Sequence, residues 1–280
     1  MNIYKKLTFQ YIRMKLNILY RINPVKAGQL AFRLFTTPIR FPRKNSEIFL
    51  NASSIKINVD GKMIKGAVFN SNQTRKALIL HGFSSSKEKF DYYVQPLIDK
   101  NYQVFAFDAP AHGESEGKTV NAVEYAAMIK KINNDFGKID AYISHSFGGL
   151  ALSLALEEME HDHQTKVVLI APATETTTAI DSAFKVIGVK NSNIKTSMKD
   201  IIYNLSGKTA DWYSVRRALH NVKADILWVH DKDDDTTPIN DALRVKEDNH
   251  QNIKFYITEG LGHSRIYKNE TTIKQIIDFF

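Results

Sequence analysis

Short apolar runs alternate with longer amphipathic stretches along most of the chain. Apolar runs that end in turn residues are typical of buried strands, whereas apolar residues three and four positions apart are typical of helices. This pattern predicts helices at about 87–100, 120–136 and 150–156, and eight strands at 55–59, 64–69, 77–80, 103–107, 141–143, 167–170, 226–229 and 255–258. The alternation predicts an α/β fold, in which helices cover both faces of a mostly parallel central sheet with an antiparallel edge.

The first 46 residues have a different pattern, and we treat them as an arm that precedes a domain of residues 47–280. One helix is predicted over residues 1–22, where apolar residues recur at helical spacing: Ile3, Leu7, Tyr11, Met14, Ile18 and Leu19. A second helix is predicted from Val25 to Phe35, because Pro24 can open it and Pro38 ends it. The arm holds ten Lys or Arg and no acid, whereas the remainder holds 28 Lys or Arg against 30 Asp or Glu.

Two interpretations of the arm are open. It packs on the body of the protein with its cations in water, or it lies as an amphipathic helix on an anionic membrane and makes a weak peripheral contact there. Arg13 and Lys15 interrupt any uncharged run, which excludes a signal-peptide core and a membrane span in residues 1–22.

Composition narrows the class of protein. A length of 280 residues suits one large domain, or one domain with an insertion, and 43% hydrophobic residues indicate a globular chain. The absence of cysteine excludes disulfides, thiolate catalysis and cysteine zinc sites, and it is compatible with the cytoplasmic location that we expect. Because the net charge of +8 belongs to the arm and not to the body, we expect no nucleic-acid partner.

An unusually long connection separates the strands at 167–170 and 226–229. Its 54 residues exceed what one helix and two short loops need. We therefore predict an insertion at about 173–222 with three helices, near 177–189, 197–205 and 211–220. An insertion after the carboxyl end of a strand is typical of a lid or a wall of a substrate pocket.

The stretch from Asp140 to Gly149 carries the strongest chemical signal. A predicted strand at 141–143 precedes Ser146 and a predicted helix at 150–156 follows it, so Ser146 stands at a strand-to-helix corner with Gly148 and Gly149 directly after it. Such a corner strains the backbone and exposes its residue at the carboxyl end of the sheet, beside a helix amino terminus. Ser146 is therefore a candidate nucleophile, and the amide of Phe147 is a candidate donor to an oxyanion.

Three further strand ends carry polar residues that fit the same chemistry. One strand ends in His81-Gly82-Phe83, another precedes four acids within residues 231–235, and the last is followed by Gly260-Leu261-Gly262-His263. The carboxyl ends of parallel strands meet at one edge of a sheet, which is where ligands bind in open α/β folds. These loops are therefore expected to lie together with Ser146.

Together these motifs resemble the α/β-hydrolase superfamily of serine hydrolases. Ser144-His145-Ser146-Phe147-Gly148 resembles its G-x-S-x-G nucleophile elbow, with Ser144 in place of the first Gly. His-Gly-Phe resembles its oxyanion loop, and the 108–115 segment resembles its D-x-x-G-H-G-x-S turn, with Ala111 in place of Gly. More narrowly, the chain resembles a group of small bacterial α/β-hydrolases.

The resemblance implies an active site of named residues. In the family's H-G-x-x-D-x-x-V-P motif the acid lies four positions before the proline. Aligned on Pro238, this motif makes Asp234 the acid and leaves Asp233 and Asp235 as flanking charges. Asp231 then occupies the position of the motif's Gly. The order Ser146, Asp234, His263 is that of the α/β-hydrolase triad. The amides of Phe83 and Phe147 would form the oxyanion hole, and no metal or organic cofactor is implied.

This machinery predicts an enzyme that cleaves a small or medium acyl ester through an acyl-enzyme, as a carboxylesterase does. The same groups serve thioesterases, lipases and peptidases, so these activities stay open. A protein from a different class, which holds a ligand on the hydrolase fold without catalysis, is the remaining alternative.

Overall fold

The structure is a computed structural model that describes residues 3–42 and 44–280, with side chains from Lys6 onward. Met1, Asn2 and Arg43, which fall in the predicted arm, lie outside the described residues, as do the side chains of residues 3–5. The chain divides into two compact units. Unit 1 consists of Met1–Thr37 and Glu175–Ser214, and unit 2 consists of Pro38–Thr174 and Val215–Phe280.

Within the described residues, the regular elements in chain order are as follows. The strands are β1 (Ser53–Val59), β2 (Lys62–Phe69), β3 (Arg75–Leu80), β4 (Tyr102–Phe107), β5 (Ala141–His145), β6 (Lys166–Ile170), β7 (Asp225–Asp231) and β8 (Ile253–Thr258). The α-helices are α1 (Ile3–Ile22), α2 (Pro24–Thr36), α3 (Glu47–Leu50), α4 (Val94–Asp99), α5 (Ala122–Phe136), α6 (Phe147–Leu156), α7 (Thr176–Ile187), α8 (Ser192–Ser206), α9 (Val215–Leu219), α10 (Ile239–Glu247), α11 (Gly262–Arg265) and α12 (Glu270–Asp278).

The eight strands form one sheet in unit 2, in the order β1-β2-β4-β3-β5-β6-β7-β8. Strand β2 pairs antiparallel with both neighbours, and the pairs from β4 to β8 are parallel. The predicted mostly parallel sheet with an antiparallel edge is therefore confirmed. Leu80 pairs with Ser144, and Asp231 pairs with Thr258, so the strands that carry the candidate site end at the same edge.

Helices cover both faces of this sheet because its central strands are apolar on both sides. Neighbouring residues such as Leu78 and Ile79 on β3, or Tyr142 and Ile143 on β5, point to opposite faces and are all at most 1% exposed. Burial on both faces is typical of parallel sheets in α/β proteins. The α/β-hydrolase fold implied by the motifs follows from this topology.

Two predicted helices are divided in the structure. The stretch near 87–100 is a 3₁₀ helix, Lys87–Tyr93, followed by α4. The stretch near 211–220 is a 3₁₀ turn, Ala210–Trp212, followed by α9, because Ser214 between them bridges to Glu175 in extended conformation. Short helices of this kind lack the length over which helical periodicity can be recognised.

Unit 1 combines the first two helices with two helices of the predicted insertion. Helix α2 begins as predicted, with Pro24 in the first turn and the Asn23 side chain accepting a hydrogen bond from the Lys26 amide. It packs closely on α8, since a Cβ at Gly28 would lie 2.4 Å from the Ser197 carbonyl oxygen. The arm therefore packs on insertion helices within this unit.

The face of α1 that the packing interpretation would bury is instead exposed. Leu7, Tyr11, Met14 and Ile18 are 51–57% exposed, whereas Leu16 is only 1% exposed. Helix α1 thus buries a different apolar face from the one that its most regular apolar spacing indicates. Within the described residues, no helix is both long enough and apolar enough to span a membrane.

Candidate active site

The corner between β5 and α6 has the geometry of a nucleophile elbow. Ser146 has φ +53° and ψ −118°, a conformation that L-residues rarely adopt. Glycine is required beside it, because a Cβ at Gly148 would lie 2.7 Å from the His81 carbonyl oxygen and one at Gly82 would lie 3.0 Å from the Ser146 Cβ. Ser144 fits in place of the family's first Gly since its hydroxyl donates to the Val168 carbonyl at 3.0 Å.

The structure brings Ser146, His263 and Asp234 into one hydrogen-bonded chain. Ser146 Oγ lies 3.1 Å from His263 Nε2, and His263 Nδ1 lies 2.7 Å from Asp234 Oδ2. With Nδ1 protonated and donating to the carboxylate, Nε2 is left as the acceptor for the serine proton. Ser146 and Asp234 are buried, while His263 keeps 12% of its side chain exposed.

The acid loop distinguishes Asp234 from the exposed acids beside it. Asp234 Oδ1 accepts hydrogen bonds from the amides of Thr236 at 2.9 Å and Thr237 at 2.8 Å, and Oδ2 accepts from the Thr237 hydroxyl at 2.8 Å. Burial alone would raise the pKa of Asp234, but its hydrogen bond and attraction to His263 and these amides hold it below the ordinary value. The carboxylate is therefore ionised and oriented.

Asp231 has a role that the sequence did not reveal. Its carboxylate accepts four hydrogen bonds, from the Asp233 amide at 3.0 Å, the Gly262 amide at 2.9 Å, the Leu261 amide at 3.1 Å and the Thr258 hydroxyl at 2.6 Å. These bonds outweigh burial and lower its pKa. Asp231 thus ties the acid loop to the residues directly before His263. A carboxylate as the last residue of a buried strand was the available signal.

Two neutral histidines fix the His-Gly loop. His81 Nδ1 donates to the Gly82 carbonyl at 2.8 Å while its Nε2 accepts from the Ala109 amide at 2.9 Å. His112 Nε2 accepts from the Ser84 amide at 2.9 Å, which holds the loop directly after Phe83. Burial lowers the pKa of His81, and burial together with His81 lowers that of His112 to about 3. Both imidazoles are therefore neutral and rigidly oriented.

The two residues whose amides are the candidate oxyanion donors lie side by side. The rings of Phe83 and Phe147 meet edge to face with centroids 5.5 Å apart. Within the described part of the chain, neither amide donates a hydrogen bond to another protein group. Phe83 follows Gly82, which lies close to Ser146, and Phe147 directly follows Ser146 in the chain. The amides are thus available to a ligand beside the serine.

His145, the residue before the candidate nucleophile, also contacts the candidate base. Its ring centroid lies 4.6 Å from that of His263, and its Nε2 donates to the His263 carbonyl at 3.2 Å. The ring centroid of Tyr267 also lies 4.6 Å from that of His145. Burial, reinforced by His263, holds the pKa of His145 well below its ordinary value. A neutral imidazole therefore supports the backbone of His263.

Two other groups of side chains have ligand atoms close enough to hold a cation. Glu88, Asp108 and Glu114 form one, and the buried Lys87 ammonium already binds there, 2.7 Å from Asp108. His220, Asp248 and His250 form the other, and the Arg216 guanidinium binds both oxygens of Asp248 at 2.6 and 2.7 Å. Each group thus already has a cationic side chain bound to a carboxylate, and neither includes a residue of the candidate triad.

Comparison with known families agrees with the fold and the motifs. Residues 72–232, more than half of the chain, match the family model described as serine aminopeptidase, S33. The chain belongs to this family and has the α/β-hydrolase fold.

Individual relatives are distant. The rat monoglyceride lipase is 26% identical over 147 residues, which are 49% of this chain and 48% of that one. A Mycoplasma pneumoniae protein named as an esterase/lipase is 23% identical over 231 residues, 68% of this chain and 82% of that one. The chain thus spans about half the length of the monoglyceride lipases it matches. A Pyrococcus furiosus esterase shares the fold, with a TM-score of 0.65 and 18% identity over 87% of this chain and 96% of that one.

Proposed function

We propose that the protein is a serine hydrolase that cleaves carboxylic esters through an acyl-enzyme. The observation that carries this proposal is the position of His263, whose two ring nitrogens lie 3.1 Å from Ser146 Oγ and 2.7 Å from Asp234 Oδ2. A serine hydroxyl is a weak nucleophile until a neighbouring base takes its proton, and the base needs an acid that fixes its tautomer. Each of these needs is met by a residue at hydrogen-bond distance.

In the proposed reaction, Ser146 Oγ attacks the ester carbonyl carbon while His263 Nε2 takes the hydroxyl proton. The carbonyl becomes a tetrahedral oxyanion, and the imidazolium that forms is stabilised by Asp234. Collapse of the intermediate breaks the bond to the alcohol, which leaves with the proton from His263. Water, deprotonated by the same nitrogen, then attacks the acyl-enzyme and releases the acid and the free serine.

The amides of Phe83 and Phe147 are proposed as the oxyanion donors. Their position beside Ser146 supports this role, as does the fixed loop geometry that the neutral His81 and His112 impose. Donors of this kind act because they are oriented before charge develops, and each is typically worth about 3 kcal/mol in the transition state.

The substrate is proposed to be an ester of a small or medium acyl chain. The facing Phe83 and Phe147 rings give the site an apolar wall, which suits an acyl group better than a charged one. The names of the relatives, monoglyceride lipase and esterase, support an ester. The family description, serine aminopeptidase, makes peptide bonds the alternative substrate that the test has to include.

The test uses the intact protein and its Ser146→Ala variant with a fluorophosphonate probe and matched ester, thioester and aminoacyl-amide substrates. We expect the wild type to be labelled and to turn over esters best, and we expect the variant to lose labelling and several orders of magnitude in turnover. If the folded wild-type protein is not labelled and turns over none of these substrates, the protein is a binding protein and not an enzyme. If the wild type turns over the aminoacyl amide faster than the ester, the activity is that of a peptidase.

A further inference from the structure

Helix α1 carries a continuous apolar stripe that is exposed. Five residues form this outer stripe, and each is 51–76% exposed: Leu7, Tyr11, Met14, Ile18 and Ile22. Because successive residues of an α-helix are about 100° apart, these positions fall within an arc of about 80°. Along the axis the stripe extends over about 22 Å. It is an uninterrupted apolar face on one side of the helix.

The outer stripe is not simply the face of a helix that lacks packing. Helix α1 already has a packed side, about 150° away around its axis. Leu16 is 1% exposed there, and Phe9 and Ile12 are partly buried. The helix contacts α7 and α8 within unit 1. It is therefore apolar on two faces, of which only one is used by the fold.

The net positive charge of the protein is concentrated in the unit that carries this stripe. Unit 1 contains twelve Lys or Arg against four Asp or Glu, whereas unit 2 contains 26 of each. Lys15 and Arg21 are exposed and lie about 60° to either side of the stripe. The Lys15 ammonium lies over the Tyr11 ring, 5.7 Å from its centroid. The apolar face is thus bordered by cations on both sides.

We propose that the outer stripe of α1 docks the protein on the surface of an anionic phospholipid bilayer, with the helix parallel to the membrane plane. Apolar side chains flanked by a cation on each side match the boundary between acyl chains and anionic headgroups. Long cationic side chains and tyrosine suit this boundary, because their stems and rings are apolar and their ends are polar. A second copy of the chain would bring a face of the same charge against this one, which disfavours self-association through it.

The experiment measures co-sedimentation of the intact protein with vesicles. One set of vesicles contains equal parts of phosphatidylglycerol and phosphatidylcholine, and the other contains phosphatidylcholine alone, each at low and at high salt. The apolar variant combines Leu7→Gln, Met14→Gln and Ile18→Gln. The charge variant combines Lys15→Gln and Arg21→Gln. These side chains are exposed, so the variants should fold, which circular dichroism checks.

A control variant, Leu50→Gln with Val123→Gln, removes apolar side chains that are 83% and 51% exposed in unit 2. We expect the wild type and the control to bind the anionic vesicles, with binding weakened by salt and nearly absent on phosphatidylcholine. The charge variant should lose about fivefold in partitioning per cation removed. The apolar variant should lose binding altogether.

Three results would overturn the proposal. The wild type could ignore anionic vesicles, the apolar variant could bind as the control does, or the apolar substitutions could turn a dimer into a monomer in gel filtration without changing vesicle binding. The last result would assign the stripe to a second copy of the chain. The vesicle assay requires no turnover. A negative result in it therefore does not contradict the proposed esterase activity, and a negative result in the turnover assay does not contradict membrane docking.

Discussion

Asp231 at the end of β7 and the three acids after it give the sharpest test of how the site is held together. Asp231 uses both carboxylate oxygens twice, and Asn offers one oxygen and one NH₂ group. If the Asn oxygen accepts from the Asp233 and Gly262 amides, the NH₂ group can donate to the Thr258 hydroxyl, but the Leu261 amide loses its acceptor. An unsatisfied donor and the lost charge cost about 2 kcal/mol in the free energy of unfolding.

The functional effect of Asp231→Asn follows from the position of the affected loop. Gly262 directly precedes His263, so a shift of the loop moves the imidazole away from Ser146 Oγ. A misplacement of about 1 Å costs on the order of 10²-fold in rate. Asp234→Asn, in contrast, leaves the loop in place and removes the group that fixes the imidazole tautomer, for which a fall of about 10⁴-fold in kcat is expected.

The assay combines urea unfolding with ester turnover for Asp231→Asn, Asp234→Asn and the exposed control Asp235→Asn. We expect Asp231→Asn to lower both the stability and, moderately, the turnover. Asp234→Asn should lower mainly the turnover, and Asp235→Asn should change neither by much. If Asp231→Asn matches the control in both measurements, the four hydrogen bonds do not hold the loop. If it lowers turnover more than Asp234→Asn does, Asp231 is the acid and the proposed triad is wrong.

Three further outcomes are expected. Ser146→Gly should unfold with a free energy about 1 kcal/mol higher than that of Ser146→Ala, because glycine tolerates φ +53° and alanine does not. Since burial lowers the pKa of His112 from 6.5 to about 3, only the unfolded chain gains a proton between these values. The free energy of unfolding should therefore fall by about 1.4 kcal/mol per pH unit from this group as pH drops through that range, and His112→Gln should flatten the decline in urea unfolding. Gly28→Ala should increase hydrogen exchange in α2 and α8 because its Cβ would lie 2.4 Å from the Ser197 carbonyl oxygen, whereas the exposed control Gln29→Ala should not.

The sheet and the residues at its carboxyl edge could be predicted because they depend on local pattern. All eight predicted strands are present, since each is a short apolar run bounded by polar turns. The resemblance to the family motif, aligned on Pro238, singled out Asp234, which lies 2.7 Å from His263. Neighbouring Asp233 and Asp235 are exposed. That Asp234 acts as the catalytic acid stays a prediction until turnover is measured.

The surroundings of the site could not be predicted, because they depend on contacts between distant segments. The place of Asp231 at the end of a buried strand indicates that its carboxylate needs partners, but not that these are amides of residues thirty positions later. The same reason applies to α1, which is apolar on two faces. Periodicity identifies both faces, but only the tertiary packing decides that Leu16 is buried and Met14 exposed.

The buried histidines suggest why the site contains so many imidazoles and so few charges. Protonation of His145, 4.6 Å from His263, would oppose the imidazolium that forms on His263 during the reaction. Burial lowers the pKa of His145, as it does those of His81, His112 and His230, so each stays neutral and acts as a fixed hydrogen-bonding group. The positive charge that develops on His263 in the proposed reaction is then balanced by the Asp234 carboxylate. On this argument, lost activity in Asp234→Asn cannot be restored by any neighbouring histidine.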